Sequence, residues 1–149
     1  MDAEPEISQL VAKERAYRGN HQDDALLALF YPDATFTTSW QSGPIATFVG
    51  HAPVDYKNNE QTKLPLVGQY GYPIVHRHGQ RAYVEVAATT YHWQLVNGVE
   101  AIVTSFMRLV YRVEKRTDTW LISDLTSIDE SDMLQPAIPG QDLHVKRQY

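Results

Sequence analysis

Apolar residues follow two regimes along the chain. Near the start they recur at helical steps, with Ile7, Leu10, Val11 and Tyr17 apolar and Glu6, Lys13, Glu14 and Arg15 around them. This predicts a first helix, broken by Arg18-Gly19-Asn20. A second, shorter helix follows, capped by Asp23 or Asp24, with Ala25, Leu26, Leu27, Leu29 and Phe30 as its apolar face and Pro32 as its stop. Each helix is apolar on one face only, so both must pack on something.

From Asp33 the pattern changes. Thr35, Phe36, Thr37, Thr38 and Trp40 are strand formers, Ser42-Gly43-Pro44 interrupts them, and Ile45 to Val49 reads as a short return strand. Gly50 to Pro53 leads into a third helix that carries Val54 and Tyr56 and runs to about Thr62. Leu64 to Val75 is a strand bent by Gly68, Gly71 and Pro73. A tight turn at His78-Gly79, the hairpin dipeptide Asn97-Gly98 and the turn Arg116 to Thr119 then separate long strands at Ala82–Val96, Val99–Glu114 and Trp120–Ile128. The stretch from Asp129, with two prolines and a glycine, reads as a surface tail. Helices followed by an antiparallel meander make an α+β domain, with the helices on one face of a strongly curved sheet. One domain over residues 1–136 and a tail over 137–149 account for the chain.

Composition narrows the chemistry. None of the 149 residues is cysteine, which removes disulfides, thiolate metal sites, cysteine nucleophiles and thiol redox chemistry. A net charge of −5 argues against a nucleic-acid partner. No apolar run reaches the roughly 20 residues of a membrane span, and the acidic start Met1 to Gln9 is unlike a secretory signal, so the expectation is a cytoplasmic protein with no membrane partner. His76 and His78 share a strand face but lack a third ligand, so no metal is expected. Ser105 and Ser127 lack a nucleophile elbow, and Gly68–Gly71 opens no helix that could cradle a phosphate.

Alternation then assigns faces. In the last strand Trp120, Ile122, Asp124, Thr126 and Ile128 share one side, which its Trp and Ile residues mark as the interior. Asp124 is thereby expected to be a carboxylate among apolar neighbours, the setting of a tuned acid or base. Val84, Val86, Ala88, Thr90, His92 and Gln94 share a face that is small at one end and polar at the other, like a pocket wall, and His92 is its proton-transfer group. The opposite face carries Tyr83, Tyr91 and Trp93 and suits a homodimer interface. Ser105, Met107 and Leu109 line the interior of the neighbouring strand.

The element order and several strings resemble the NTF2-like superfamily in its SnoaL-like branch. These are Glu6-Ile7 with Leu10-Val11, the run from Ala25 to Ala34, Arg108 to Glu114 leading into Trp120-Leu121-Ile122, and Ile128 to Pro136. The resemblance implies a cystatin-like cone of three N-terminal helices on a curved antiparallel sheet, often a homodimer, and either cofactor-free acid/base enzymes or pure binding modules. Scytalone dehydratase, ketosteroid isomerase, polyketide cyclases and epoxide hydrolases represent the enzymes. Their catalytic residues carry over poorly. Where the dehydratase pattern asks for histidine, aspartate and tyrosine, this chain has Gly68, Asn20 and Thr38, and only its second histidine is matched, by His92. The isomerase base and buried acid fall near Thr38 and Leu109.

The expected function is therefore a cofactor-independent lyase, isomerase or cyclase for a small apolar, ring-containing substrate. His92 and Asp124 are its catalytic pair, and Tyr17, Phe30, Trp40, Thr90, Ser105, Met107 and Ile128 line its pocket. A non-catalytic ligand- or protein-binding module is the alternative.

Overall fold

The computed structural model describes residues 3–39, 41–49 and 67–145. The expected third helix and Trp40 lie outside these residues. Helix α1 spans Glu4–Gly19, with proline in its first turn, Glu4 and Glu6 at its positive end and Arg18 at its negative end. Its buried residues Ile7, Leu10, Val11 and Glu14 form one stripe.

Helix α2 is only Asp23–Leu27, with Gln22 at its N-cap and no side-chain capping bond. The expected continuation to Pro32 fails because a proline disfavours helical backbone in the residue before it. Phe30 and Tyr31 accordingly begin strand β1, Phe30–Thr37. The return strand β2 is Ser42–Pro44, one segment earlier than alternation suggests, on the sheet edge where proline is tolerated. Ile45–Phe48 instead forms a 3-10 turn that buries Ile45 and stacks Phe48 on Phe36, ring centres 4.8 Å apart.

The remaining strands are β3 Val67–Tyr70, β4 Ile74–His78, β5 Arg81–Val96, β6 Val99–Lys115 and β7 Trp120–Pro136. They form a curved mixed sheet in the order β2-β1-β7-β6-β5-β3, with β4 also on β5. Neighbours are antiparallel except β1 and β7, which run parallel. Asn97 (φ 50°) and Gly98 (φ 79°) both adopt the left-handed conformation that a two-residue hairpin turn demands. The β4–β5 turn is Gly79-Gln80, one residue later than expected, since His78 still pairs with Arg81.

Strand β7 continues eight residues past the expected end at Ile128. The stretch read as tail pairs backbone to backbone with the long edge of β6 as far as Pro136 opposite Ala101. Backbone pairing needs no apolar side chains, so composition alone does not reveal it. Beyond it the chain returns to the β5–β6 hairpin, where Asn97 Nδ2 donates to the carbonyls of Leu143 and His144 at 2.9 and 3.0 Å.

The core lies between the helices and the concave sheet face. Ile7, Val11 and Leu26 meet Val84, Leu109 and Tyr111 there. It ends at the level of Ala88 and Met107, roughly halfway along the long strands.

Candidate functional site

Two β-bulges in β7 decide which side chains reach the concave face. Val113 opposes Ile122 and Arg112 opposes Asp124, so Ser123 is an extra residue that shifts the alternation by one. Beyond it Leu125, Ser127 and Asp129 face inward, opposite Tyr111, Leu109 and Met107. A second extra residue, Glu130, restores the original phase, which brings Asp132 opposite Ser105.

Asp124 and Ile128 are therefore not interior residues. Asp124 sits on the outer face, opposite Thr35 and Arg112. It accepts hydrogen bonds from the Thr35 hydroxyl and from Thr126 Oγ1 at 3.2 Å. Ile128 pairs with Arg108 on the same outer face. Two carboxylates of β7 face inward instead, the half-buried Asp129 and the exposed Asp132. Partial burial, with Asp132 adding its negative charge, pushes the Asp129 carboxyl above the ordinary value.

His92 is half-buried on the concave side, opposite Val103, with a ring nitrogen 3.2 Å from Gln94 Oε1. The structure does not bring it to Asp124. Val103 and Arg112, their partners on β6, are nine positions apart, about 30 Å at the rise of a strand. Thr90 is buried, and its hydroxyl donates to Met107 Sδ at 3.7 Å. Ser105 lies half-buried beside Thr90. Phe30 is buried in the core, and Tyr17 is half-buried against it.

Directly paired residues share a face, so register lays out this surface in rows. One row runs Tyr70, Ala88, Met107, Asp129 and the next runs Gly68, Thr90, Ser105, Asp132. Three strand spacings, about 14 Å, separate the ends of each row. The main core cluster ends at the first row, the second row carries hydroxyl and carboxylate groups, and the buried Val103 and Ala101 follow beyond it on β6.

A charged cluster between α1 and the sheet is absent from the sequence-based site. Glu14 is fully buried (0% exposed) on the apolar stripe of α1. Its carboxylate accepts hydrogen bonds from Arg15 Nε and Nη2, from Arg18 Nε at 3.2 Å and from the Tyr111 hydroxyl at 3.3 Å. Burial alone would raise its pKa, but the two guanidinium charges outweigh burial and hold it below the ordinary value. Burial pushes the Tyr111 phenol far up, so it stays protonated. Arg15 packs over the rings of Tyr70 and Tyr111, 5.7 and 5.9 Å from their centres. The spacing Ile7, Leu10, Val11, Glu14 is the sequence signal for this cluster: a carboxylate standing in an apolar stripe.

Arg15 also lines a groove of about 430 Å³ between α1 and β3–β5. Val11, Ala12, Ala16, Tyr70, Pro73 and Val86 form most of its wall. Gly68 makes room for Tyr70, because a Cβ there would lie 2.3 Å from the Tyr70 hydroxyl. Among the described residues no group of three or more His, Asp or Glu could hold a metal ion, and no helix is long and apolar enough to cross a membrane.

Comparison with known proteins places this architecture. A family model described as SnoaL-like domain matches residues 1–126. No curated protein matches the chain in sequence. Among solved structures, hexachlorocyclohexane dehydrochlorinase LinA-type3 from Novosphingobium barchaimii is similar with a TM-score of 0.70 at 12% identity, over 91% of this chain and 92% of that one. An NTF2-like protein with a cystatin-like fold from Novosphingobium aromaticivorans has a TM-score of 0.64 at 12% identity, over 86% and 82%. A ketosteroid isomerase-like protein from Erwinia carotovora atroseptica has a TM-score of 0.64 at 12% identity, over 87% and 98%. At such identities the likeness is one of fold: the NTF2-like cone.

Proposed function

Since this chain belongs to the SnoaL-like domain family, we propose that it is a cofactor-independent acid/base enzyme, a lyase, isomerase or cyclase, for a small ring-containing substrate. One observation carries the reading: the core gives way on the concave face to Thr90, Ser105 and the inward carboxylate Asp129. A cone whose interior served only stability would not set a carboxylate and two hydroxyls between the main core and the buried Val103 and Ala101.

In this reading Asp129 is the base. Its raised pKa makes the carboxylate a stronger proton acceptor than an exposed aspartate. It takes a proton from the carbon next to a substrate carbonyl; the C–H electron pair becomes a C=C bond and the carbonyl π pair moves onto oxygen, giving an enolate. The Ser105 hydroxyl donates to that oxygen, and so does Thr90 once its hydroxyl turns away from Met107 Sδ. Return of the proton to another carbon completes an isomerisation, and departure of a β-substituent completes an elimination. His92, two positions beyond Thr90 on the same face, relays the proton to water. Asp124 has no role, because Thr35 and Thr126 hold it on the outside. The fold shared with a dehydrochlorinase and a ketosteroid isomerase-like protein supports this reading.

The outer face of β5 and β6, with Tyr91, Trp93 and Phe106, forms the homodimer contact in the same proposal. The separation of His92 from Asp124 favours a second reading, a ligand-binding module without turnover. Catalysed hydrogen–deuterium exchange into a panel of cyclic ketones, followed by proton NMR in D₂O, separates the two. Exchange above the buffer rate supports the enzyme, and its absence across the panel, with ligand binding retained, supports the binding module.

A further inference from the structure

Burying charge is costly unless it is matched, and among the described residues the cluster under α1 is not matched. It contains one carboxylate, Glu14, and two guanidinium groups, Arg15 and Arg18. A carboxylate offers about four acceptor sites. Arg15 fills two, and Arg18 Nε and Tyr111 take the others, so Glu14 is saturated. Arg18 Nη2 lies 3.2 Å from Glu14 Oε1 but is a buried donor without a hydrogen-bond partner among the described residues. Among the described residues the cluster thus carries one more positive than negative charge, Arg15 is the only charged residue lining the groove, and the unpaired Arg18 donor lies three positions along the same helix.

We infer that this groove is the subsite for an anionic oxygen of the ligand, and that the ligand is an amphipathic ring compound bearing a carboxylate. The apolar body lies along Val11, Ala12, Ala16 and Pro73 and against the Tyr70 ring. Its carboxylate meets the edge of the Arg15 guanidinium turned away from Glu14, and Tyr70 and Tyr111 hold that guanidinium in place. A volume of about 430 Å³ fits one or two fused rings. The sequence-based expectation of a purely apolar substrate is thereby narrowed to an organic acid. The inference rests on the proposed function only in calling that acid a substrate.

The test is calorimetric titration of the full chain with 2-naphthoate and with its neutral analogue 2-naphthamide. The expected result is roughly tenfold to a hundredfold tighter binding of the carboxylate, the worth of a charge-assisted contact. Arg15→Met should abolish the preference. Since that variant leaves Glu14 with one counter-charge and can fail to fold, Ala16→Leu provides a second arm. It fills the groove from an exposed helix position with a good helix former and should weaken both compounds at least tenfold. Equal binding of the two compounds, no binding of naphthoate, or unchanged affinity in Ala16→Leu would each overturn the inference. Calorimetry reads binding without turnover. Loss of proton exchange with carboxylate preference intact therefore refutes the proposed function alone, and loss of the preference with exchange intact refutes this inference alone.

Discussion

The Tyr111 hydroxyl lies 3.3 Å from Glu14 Oε2, joining the middle of β6 to the apolar stripe of α1 across 97 positions of sequence. Both side chains are fully buried, so this contact is made only when helix and sheet are docked. Tyr111→Phe keeps the ring under Arg15 and removes one donor to the carboxylate. It should cost about 1.5 kcal/mol, at the lower end for a bond to a charged group. Urea unfolding, with the slope unchanged from wild type, measures it.

Glu14 makes stability depend on acid. Its folded pKa lies below the ordinary 4.5, so the ionised form stabilises the fold above that pH. The contribution disappears as pH falls from 4.5 through the folded value. Wild-type melting temperature should drop steeply in that window. Glu14→Gln should flatten the drop and lower stability at pH 7 by about 3–5 kcal/mol, because two buried guanidinium groups lose their counter-charge. A parallel acid limb in both proteins would contradict the cluster's role.

Gly68 is where Tyr70 needs space. A Cβ there would meet the Tyr70 hydroxyl at 2.3 Å and Cζ at 2.6 Å. Gly68→Ala should swing the ring away from Arg15, leaving global stability within about 1 kcal/mol because Tyr70 is itself exposed. Naphthoate affinity should fall several-fold. Unchanged affinity would mean that the Tyr70 ring contributes nothing to the groove.

Much of the cone is legible in the sequence, and the missing part has a physical cause. Alternation along β5 and β6 is unbroken from Ala82 to Ala88 and from Leu109 to Val113, so the interior wall could be read directly. In β7 the apolar positions step by two from Trp120 to Ile122 and then by three to Leu125. That step of three is the bulge; strict alternation through it turns Asp124 and Ile128 inward and leaves Asp129 at the start of the expected tail. A bulge is set by pairing with the neighbouring strand, which a single strand's pattern shows only faintly. Glu14 is hidden in the sequence for a different reason. A glutamate beside Lys13 and Arg15 resembles a solvated face, and only its place in the Ile7–Leu10–Val11 stripe betrays burial. The NTF2-like cone and the concave position of His92, Thr90, Ser105 and Met107 follow from the alternation and the family resemblance, and the structure places them so.

Trp93 sits on the outer face of β5 opposite Ile102, half-buried. If that face joins two copies, wild type should sediment at twice 17.0 kDa and Trp93→Glu at 17.0 kDa, with melting behaviour otherwise retained. A wild-type protein sedimenting at 17.0 kDa would remove the dimer.

The central claim is that Asp129, and not Asp124, is the proton-transfer carboxylate of the concave face. The most direct measurement is the rate of hydrogen–deuterium exchange into the best cyclic ketone, compared between Asp129→Asn and Asp124→Asn at equal folded fraction. Loss of a general base costs about 10²–10⁴-fold. That loss is expected in Asp129→Asn, with Asp124→Asn within twofold of wild type. Wild-type exchange in Asp129→Asn, or a hundredfold loss in Asp124→Asn, would contradict it.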